Sequence, residues 1–228
     1  MTDAPLLEFR DVGIAYATRA GEVPVIPALS FRVSAGEAMG LVGESGCGKS
    51  TVALSIVRYL GRAGRLVRGR ILFEGRDLAT LDDEELRAVR GRRIAMVYQD
   101  PMASLNPVMT VGRQLMEVPM LHEGVGAATA HARAIEMLRE VKLSDPEAVM
   151  ARYPHQLSGG QQQRIVIAMA LIAEPALLVM DERRRAWTSP SRRRCWTSSG
   201  SFGGGVARPS SSSVTTSGRS FASATGSG

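Results

Sequence analysis

The stretch Gly43-Glu44-Ser45-Gly46-Cys47-Gly48-Lys49-Ser50 limits what this chain can fold into more than any other. Its spacing is G-x-x-x-x-G-K-[ST], a pattern that needs a strand before it and a helix after it. Glu37–Val42 reads as the strand and Thr51–Leu60 as the helix. Glycine lets the backbone wrap closely around a phosphate, because no Cβ stands in the way. Successive N–H groups and the helix start then point at the anion. In that geometry Lys49 adds a point charge at the β- and γ-phosphates, and the Ser50 hydroxyl ligands Mg2+. A glycine-rich turn that merely happens to hold a lysine is the bland alternative, and the two flanking elements weigh against it.

Charge is informative only once its location is known. The chain has 228 residues and a formal net charge of +6, which on its face invites nucleic acid or an anionic membrane as partner. Beyond Glu182, however, there are eight arginines and no acid, so the first 182 residues hold 20 basic and 22 acidic groups. The basicity belongs to the tail, and the folded part gives a nucleic-acid reading no support. Only Lys49 and Lys142 are lysines; the arginine bias points to a GC-rich genome. No apolar run approaches the ~18 residues that cross a bilayer. Met1–Arg10 shows no secretory signal, and two cysteines, Cys47 and Cys195, make no disulfide framework, so a reducing compartment is expected.

Taken in order, Leu6–Val12 predicts a strand, Ala15–Pro24 a loop holding Tyr16, and Ala28–Val33 a second strand. Gly69–Glu74 predicts a strand, Leu81–Arg90 a short helix capped by Asp82 or Asp83, and Arg93–Tyr98 a buried strand ended by Gln99-Asp100-Pro101. From about Met102 to Tyr153, Met, Ala, Val and Leu fall at helical spacing, most clearly over Ala127–Val141. That reads as a mainly helical insertion in an α/β domain, its methionines serving as core filler. Leu157-Ser158-Gly159-Gly160-Gln161-Gln162-Gln163-Arg164 then leads into an apolar helix, Ile165–Ala173. A buried strand, Ala176–Met180, carries Asp181-Glu182 at its carboxyl end, where α/β sheets hold ligands. His122, His131 and His155 show no metal spacing.

On these residues, 6–182 resemble the ATP-binding subunit of an ABC transporter. Five features stand in the family's order: Gly43–Ser50, Gln99 after a strand, the signature Leu157–Gln161, the strand Leu177–Met180, and Asp181-Glu182. The resemblance implies a P-loop NTPase (RecA-like) α/β core over 1–182, with an N-terminal antiparallel β part and a helical subdomain inserted at about 102–160. It implies ATP and Mg2+ as ligands. Tyr16 stacks on adenine, unless it is only a half-buried aromatic. Gly43, Glu44, Ser45, Gly46, Cys47, Gly48, Lys49, Ser50 and Thr51 hold the phosphates, Cys47 as a spacer. Asp181, Ser50 and Gln99 serve Mg2+, and Glu182 polarises the attacking water as general base. Gln99 touches the metal or that water and reports to membrane subunits. Ser158, Gly159, Gly160 and Gln161 cap the γ-phosphate of ATP held by a second subunit, with a helix start behind them.

The run Tyr98–Pro107 and Tyr153-Pro154-His155-Gln156 resemble the dipeptide and oligopeptide importers, a pattern shared with nickel importers. The partners implied are membrane permease subunits, an identical or related second ATP-binding subunit and, indirectly, a solute-binding protein, with no nucleic acid. The place implied is peripheral, on the cytoplasmic face of the plasma membrane. Two other readings stay open: a soluble ABC ATPase acting on nucleic acid or ribosomes, and a non-catalytic remnant that binds nucleotide.

The resemblance stops after Glu182. Where the family continues with Pro-Thr, a Leu-Asp loop, a helix, a strand and a switch histidine, this chain has Arg183-Arg184-Arg185-Ala186-Trp187. Residues 183–228 are rich in Ser, Gly and Arg and read as a low-complexity, disordered tail. Synonymous codons for Glu182–Gly200 can be chosen so that one base restored after codon 182 gives Glu-Pro-Thr-Thr-Gly-Leu-Asp-Val-Thr-Val-Gln-Ala-Gln-Val-Leu-Asp-Leu-Leu-Arg. Those of Arg208–Gly218 then give Ala-Leu-Leu-Phe-Ile-Ser-His-Asp-Leu-Gly. Both match the expected continuation, so a frameshift after Glu182 is expected. The chain should then lack the strand beside the phosphate-loop strand, and fold and turn over poorly.

Overall fold

The computed structural model of the protein describes residues 4–44, 46–98, 100–181 and 212–217, the last six as backbone. The chain divides into two units, Met1–Leu81 with Met180–Gly228, and Asp82–Val179.

In the first unit, β1 (Leu7–Thr18) and β2 (Gly21–Val33) form an antiparallel hairpin paired from Leu7↔Val33 to Thr18↔Gly21. Its turn is two residues long. Thr18 Oγ1 accepts from the Ala20 N–H at 3.3 Å and donates to the Gly21 carbonyl at 2.7 Å. The expectation of a loop over Ala15–Pro24 is therefore corrected: both flanks are strand. Pro24 and Pro27 disguise β2, but it lies at the edge of the order β2-β1-β4-β5, where a missing N–H is tolerated. β3 (Ala38–Val42) leads through the phosphate loop into α1 (Lys49–Ile56). β4 (Gly64–Phe73) runs antiparallel to β1, and β5 (Arg76–Asp77) pairs with its end. Leu7, Phe9, Val12, Ile14, Ile71 and Phe73 are buried on these strands, and Phe9 stacks on Phe31 with centroids 4.3 Å apart. The β1–β4 register shifts at Arg10/Gly13, opposite Gly69. Gly69 has φ +77°, and a Cβ there would lie 2.3 Å from both the Arg10 and Asp11 carbonyl oxygens.

Glu8 is the buried acid of this sheet, 4% exposed. Its carboxylate accepts from Arg10 and Arg32, each at 2.7 Å. The Arg10 hydrogen bond holds the Glu8 carboxyl below the usual glutamate range; burial opposes this, and Arg32 adds to it. A depressed folded pKa means that the ion pairs stabilise the fold above the usual glutamate value of 4.5. That stability is lost as the pH falls through the lowered value. The expected result is that Glu8→Gln is less stable than the parent near neutral pH. The gap in urea midpoint should close as the pH falls below 4.5. A gap that persists at acid pH would assign the effect to packing instead.

The second unit opens with α2 (Asp83–Val89), started by a capping box. The Glu85 N–H donates to Asp82 at 2.8 Å, and the Asp82 N–H donates to Glu85 at 3.2 Å. Then come β6 (Ile94–Val97), α3 (Pro101–Ser104), α4 (Val111–Glu123), α5 (Ala127–Glu140), α6 (Pro146–Ala151), α7 (Gly159–Leu171) and β7 (Leu177–Asp181), whose last two residues are counted with the first unit. α5 buries Ala130, Ala134 and Leu138, a stripe at i, i+4, i+8, and turns Arg133, Glu136 and Glu140 outward. β6 and β7 are neighbours, joined at their start by the Leu177 N–H donating to the Arg93 carbonyl at 3.0 Å.

The tail departs from the sequence reading in one segment. Ser212–Ser217 form β8, parallel to β3 in the register Ala38↔Ser213 to Val42↔Ser217. The expectation that β3 has no neighbour on that side is thus corrected at the level of the backbone. A strand edge presents N–H and C=O groups that any extended segment can satisfy, whatever its side chains. The rest of 183–228 lies outside the described residues.

Candidate functional site

β3 ends at Val42 and delivers a buried Gly43 to the loop. Gly46 and Gly48 have φ of +85° and +91°, a region L-residues avoid. Gly48 is also packed: a Cβ there would stand 2.5 Å from Ile26 Cδ1. It is the N-cap of α1 and offers no side-chain cap, and the first turn of α1 carries no acid. The first amides of that helix are therefore available to an anion, with the dipole in its favour. Lys49 Nζ donates to the Gly43 carbonyl at 2.8 Å and the Glu44 carbonyl at 2.7 Å, and lies 3.5 Å from Cys47 Sγ. The ammonium is thus held against the loop backbone. Glu44 and Ser50 are exposed; Cys47 and Thr51 are half-buried. Ser45 lies outside the described residues.

Tyr16, expected in a loop, stands on β1 opposite Val23 and Gly64, and is half-buried. Its ring edge lies where a Cβ on Gly64 would be, 2.9 Å from Cε1. Asp181 is the last residue of β7 and half-buried. Gln99 and Glu182 lie outside the described residues. Among the described residues there is no cluster of three or more His, Cys, Asp or Glu to form a metal centre. A hydroxyl and one carboxylate, Ser50 and Asp181, are hard oxygen donors of the kind Mg2+ takes when substrate phosphates and water complete its shell.

The signature lies in the second unit. Leu157 is buried, and Ser158, Gly159 and Gly160 are exposed. Ser158 Oγ accepts from the Gln161 N–H at 3.3 Å, and Gln161 Oε1 accepts from the Ser158 N–H at 2.9 Å, a capping box. Neither Gly159 nor Gly160 has positive φ, and among the described residues a Cβ on either meets nothing within 4 Å. Nothing among the described residues requires glycine at these two positions; close approach by an outside group would. Gln162, passed over in the motif reading, is buried beneath the capping box. Its signal was a glutamine four residues after a serine cap. His155 stacks on Tyr153 at 5.7 Å, a loop contact. The same unit holds a cavity of about 440 Å3 whose lining includes Met96, Tyr98, Val118, His122, Val166 and Met169.

The sequence matches the ABC transporter family model over residues 26–184. A probable peptide ABC transporter ATP-binding protein of Sinorhizobium fredii is 47% identical over 178 residues, 78% of this chain and 53% of that protein. The oligopeptide transport ATP-binding protein OppD of Bacillus subtilis is 46% identical over 178 residues, 78% of this chain and 50% of that protein. The chain spans about half the length of the curated relatives it matches. A solved ATP-binding cassette, dimeric and bound to ADP and Pi after hydrolysis, superposes with a TM-score of 0.73 at 23% identity. It covers 92% of this chain and 87% of that one, a likeness of fold. With its phosphate loop, its signature and this match over more than half its length, the chain belongs to the ABC transporter family.

Proposed function

We propose that this chain is an ATP-binding and ATP-hydrolysing subunit that powers an importer of peptides or a related solute. The observation that carries the reading is the phosphate loop, with two left-handed glycines, a helix start free of acid, and Lys49 held over the backbone. The loop amides and Lys49 bind and orient the phosphates, while Ser50 and Asp181 hold Mg2+ with Gln99. Tyr16 takes the adenine. Bound Mg2+ supplies charge neutralisation at the β- and γ-phosphates. Glu182 accepts a proton from the attacking water. Ser158–Gln161 of a second ATP-binding subunit close over the γ-phosphate, which explains two glycines with open space above them.

Membrane permease subunits are the direct partners and a solute-binding protein an indirect one. Supporting this, the second unit exposes large apolar side chains, Val108 at 79% and Leu121 at 73%, near helices that lack any membrane-spanning length among the described residues. The chain then sits peripherally on the cytoplasmic face. As written it hydrolyses poorly, because the frame changes after Glu182. Co-purification with permease subunits rather than with RNA or DNA separates this from the nucleic-acid reading.

Lys49→Ala tests the loop. Loss of charge-assisted contacts is expected to weaken ATP binding by about tenfold to a hundredfold, read with a fluorescent ATP analogue. Undiminished affinity would remove the loop from the nucleotide site.

A further inference from the structure

Two helices of the second unit begin with the same device. In α7, capped by Ser158, the residue four positions on is Gln162, 6% exposed. Its Nε2 donates to the Leu157 carbonyl at 3.1 Å and the Pro154 carbonyl at 2.8 Å, one and four residues before the cap. In α4, capped by Thr110, the residue four positions on is Gln114, 4% exposed. Its Nε2 donates to the Met109 and Asn106 carbonyls, both at 3.0 Å, at the same two offsets. Each clamped turn is closed by its own backbone bond, Leu157 N–H to Pro154 O at 3.1 Å and Met109 N–H to Asn106 O at 3.3 Å. A buried amide is tolerated only where its donors are satisfied, and here both donors go to the same turn. Such a side chain fixes the path by which the backbone enters the helix. Glutamate could not replace it, having no donors when ionised, and an apolar side chain would leave two carbonyls without it.

The two clamps differ in what they hold. Gly112, in the first turn of α4, is explained by packing, since a Cβ there would lie 2.9 Å from the Met150 carbonyl. Gly159 and Gly160, in the first turn of α7, face open space among the described residues. We propose that Gln162 is a positioning residue for the Ser158–Gly160 signature. By holding the Pro154–Leu157 turn, it sets the entry of Ser158 and aims the first amides of α7 at the γ-phosphate of a nucleotide on a second subunit. Gln114 is the same clamp without such a site. The proposal rests on the reading of the signature given above.

The test compares Gln162→Leu and Gln162→Met with Gln114→Leu in the full chain. It follows amide hydrogen exchange, ATP-driven self-association by sedimentation, and binding of a fluorescent ATP analogue. Two lost hydrogen bonds should speed exchange at residues 157–161 by about tenfold or more. Self-association should weaken about as much, while affinity for the analogue at the chain's own phosphate loop stays unchanged. Gln114→Leu should speed exchange at residues 106–110 and leave self-association alone. Unchanged exchange at 157–161 in both Gln162 variants overturns the clamp. An equal loss of self-association in the Gln114 variant reduces Gln162 to a packing residue. Failure of the parent chain to associate with ATP, both as it stands and with the reading frame restored after Glu182, while it still binds the analogue, overturns the reading of the signature, and with it what Gln162 positions; the exchange data still decide the clamp.

Discussion

Restoring one base after the Glu182 codon is expected to turn this chain into a much more stable protein and a competent ATPase. The reason lies beside β3. Its parallel neighbour β8 spells Ser-Ser-Val-Thr-Thr-Ser, paired through the backbone from Ala38↔Ser213 to Val42↔Ser217. Backbone pairing satisfies an edge but contributes little burial. Interior strands of parallel sheets are covered on both faces and normally read as continuous apolar runs. In the restored frame the same neighbourhood reads Ala-Leu-Leu-Phe-Ile-Ser-His-Asp. Burying a Leu, Ile or Phe side chain contributes about 1.5–3 kcal/mol, so four of them contribute at most about 6–12 kcal/mol. Whole domains are stable by only about 5–15 kcal/mol. With a urea dependence of roughly 1–3 kcal/mol per molar, the midpoint should rise by about 2 M or more. The restored frame also supplies the histidine that the family resemblance assigns to the switch loop. Proton-transfer and positioning groups are worth about a hundredfold or more, so turnover should rise by at least that factor. Equal urea midpoints and equal turnover in the two chains would show that the tail as written suffices.

The parts of this protein that could be read from sequence are those where local chemistry decides the backbone. Gly43–Ser50 needed glycines at particular positions, and Gly46 and Gly48 do carry the positive φ. Ser158 with Gln161, and Asp82 with Glu85, are capping boxes whose partners lie three residues apart, within reach of a sequence pattern. What escaped was decided by distant partners. Leu6–Val12 and Ala28–Val33 are legible as strands, but Ala15–Pro24 reads as a loop, because the hairpin turn is only two residues long and prolines interrupt β2. The edge position that excuses those prolines is a fact of the sheet, not of the segment. Tyr16 moved from loop to strand for the same reason. Glu8 is buried because Arg32, 24 positions away, meets its carboxylate, and no local pattern announces that. Ser212–Ser217 holds Val214, Thr215 and Thr216, residue types that favour strands, but the pairing with β3 that made it a strand is not announced by the segment itself. Gln114 and Gln162 lay between these extremes: their partners are local, but the rule that a glutamine four residues after a cap clamps the preceding turn emerges only when the two are compared.

Glycine at the signature should be a site where stability and function move in opposite directions. Gly48→Ala is the contrasting case. At φ +91° an L-residue is strained by about 1–2 kcal/mol whatever the space, and the new Cβ also makes the end of Ile26 give way, so that variant loses stability. Gly160 has no positive φ, sits in the first turn of α7, and among the described residues has nothing within 4 Å of an added Cβ. Alanine there lowers the entropy lost on folding and should stabilise the chain by roughly 0.5–1 kcal/mol. On the function proposed above, the same methyl would stand where a second subunit's γ-phosphate approaches the α7 amides. A displacement that breaks those contacts should weaken ATP-driven self-association by about a hundredfold, roughly 2.8 kcal/mol. Affinity for ATP at the chain's own phosphate loop should stay unchanged, since Gly43–Ser50 contains no signature residue. Urea unfolding and sedimentation with and without ATP read the two effects separately. A Gly160→Ala chain that is more stable and still associates with ATP as the parent does would mean that these glycines face nothing, and that the γ-phosphate is capped elsewhere.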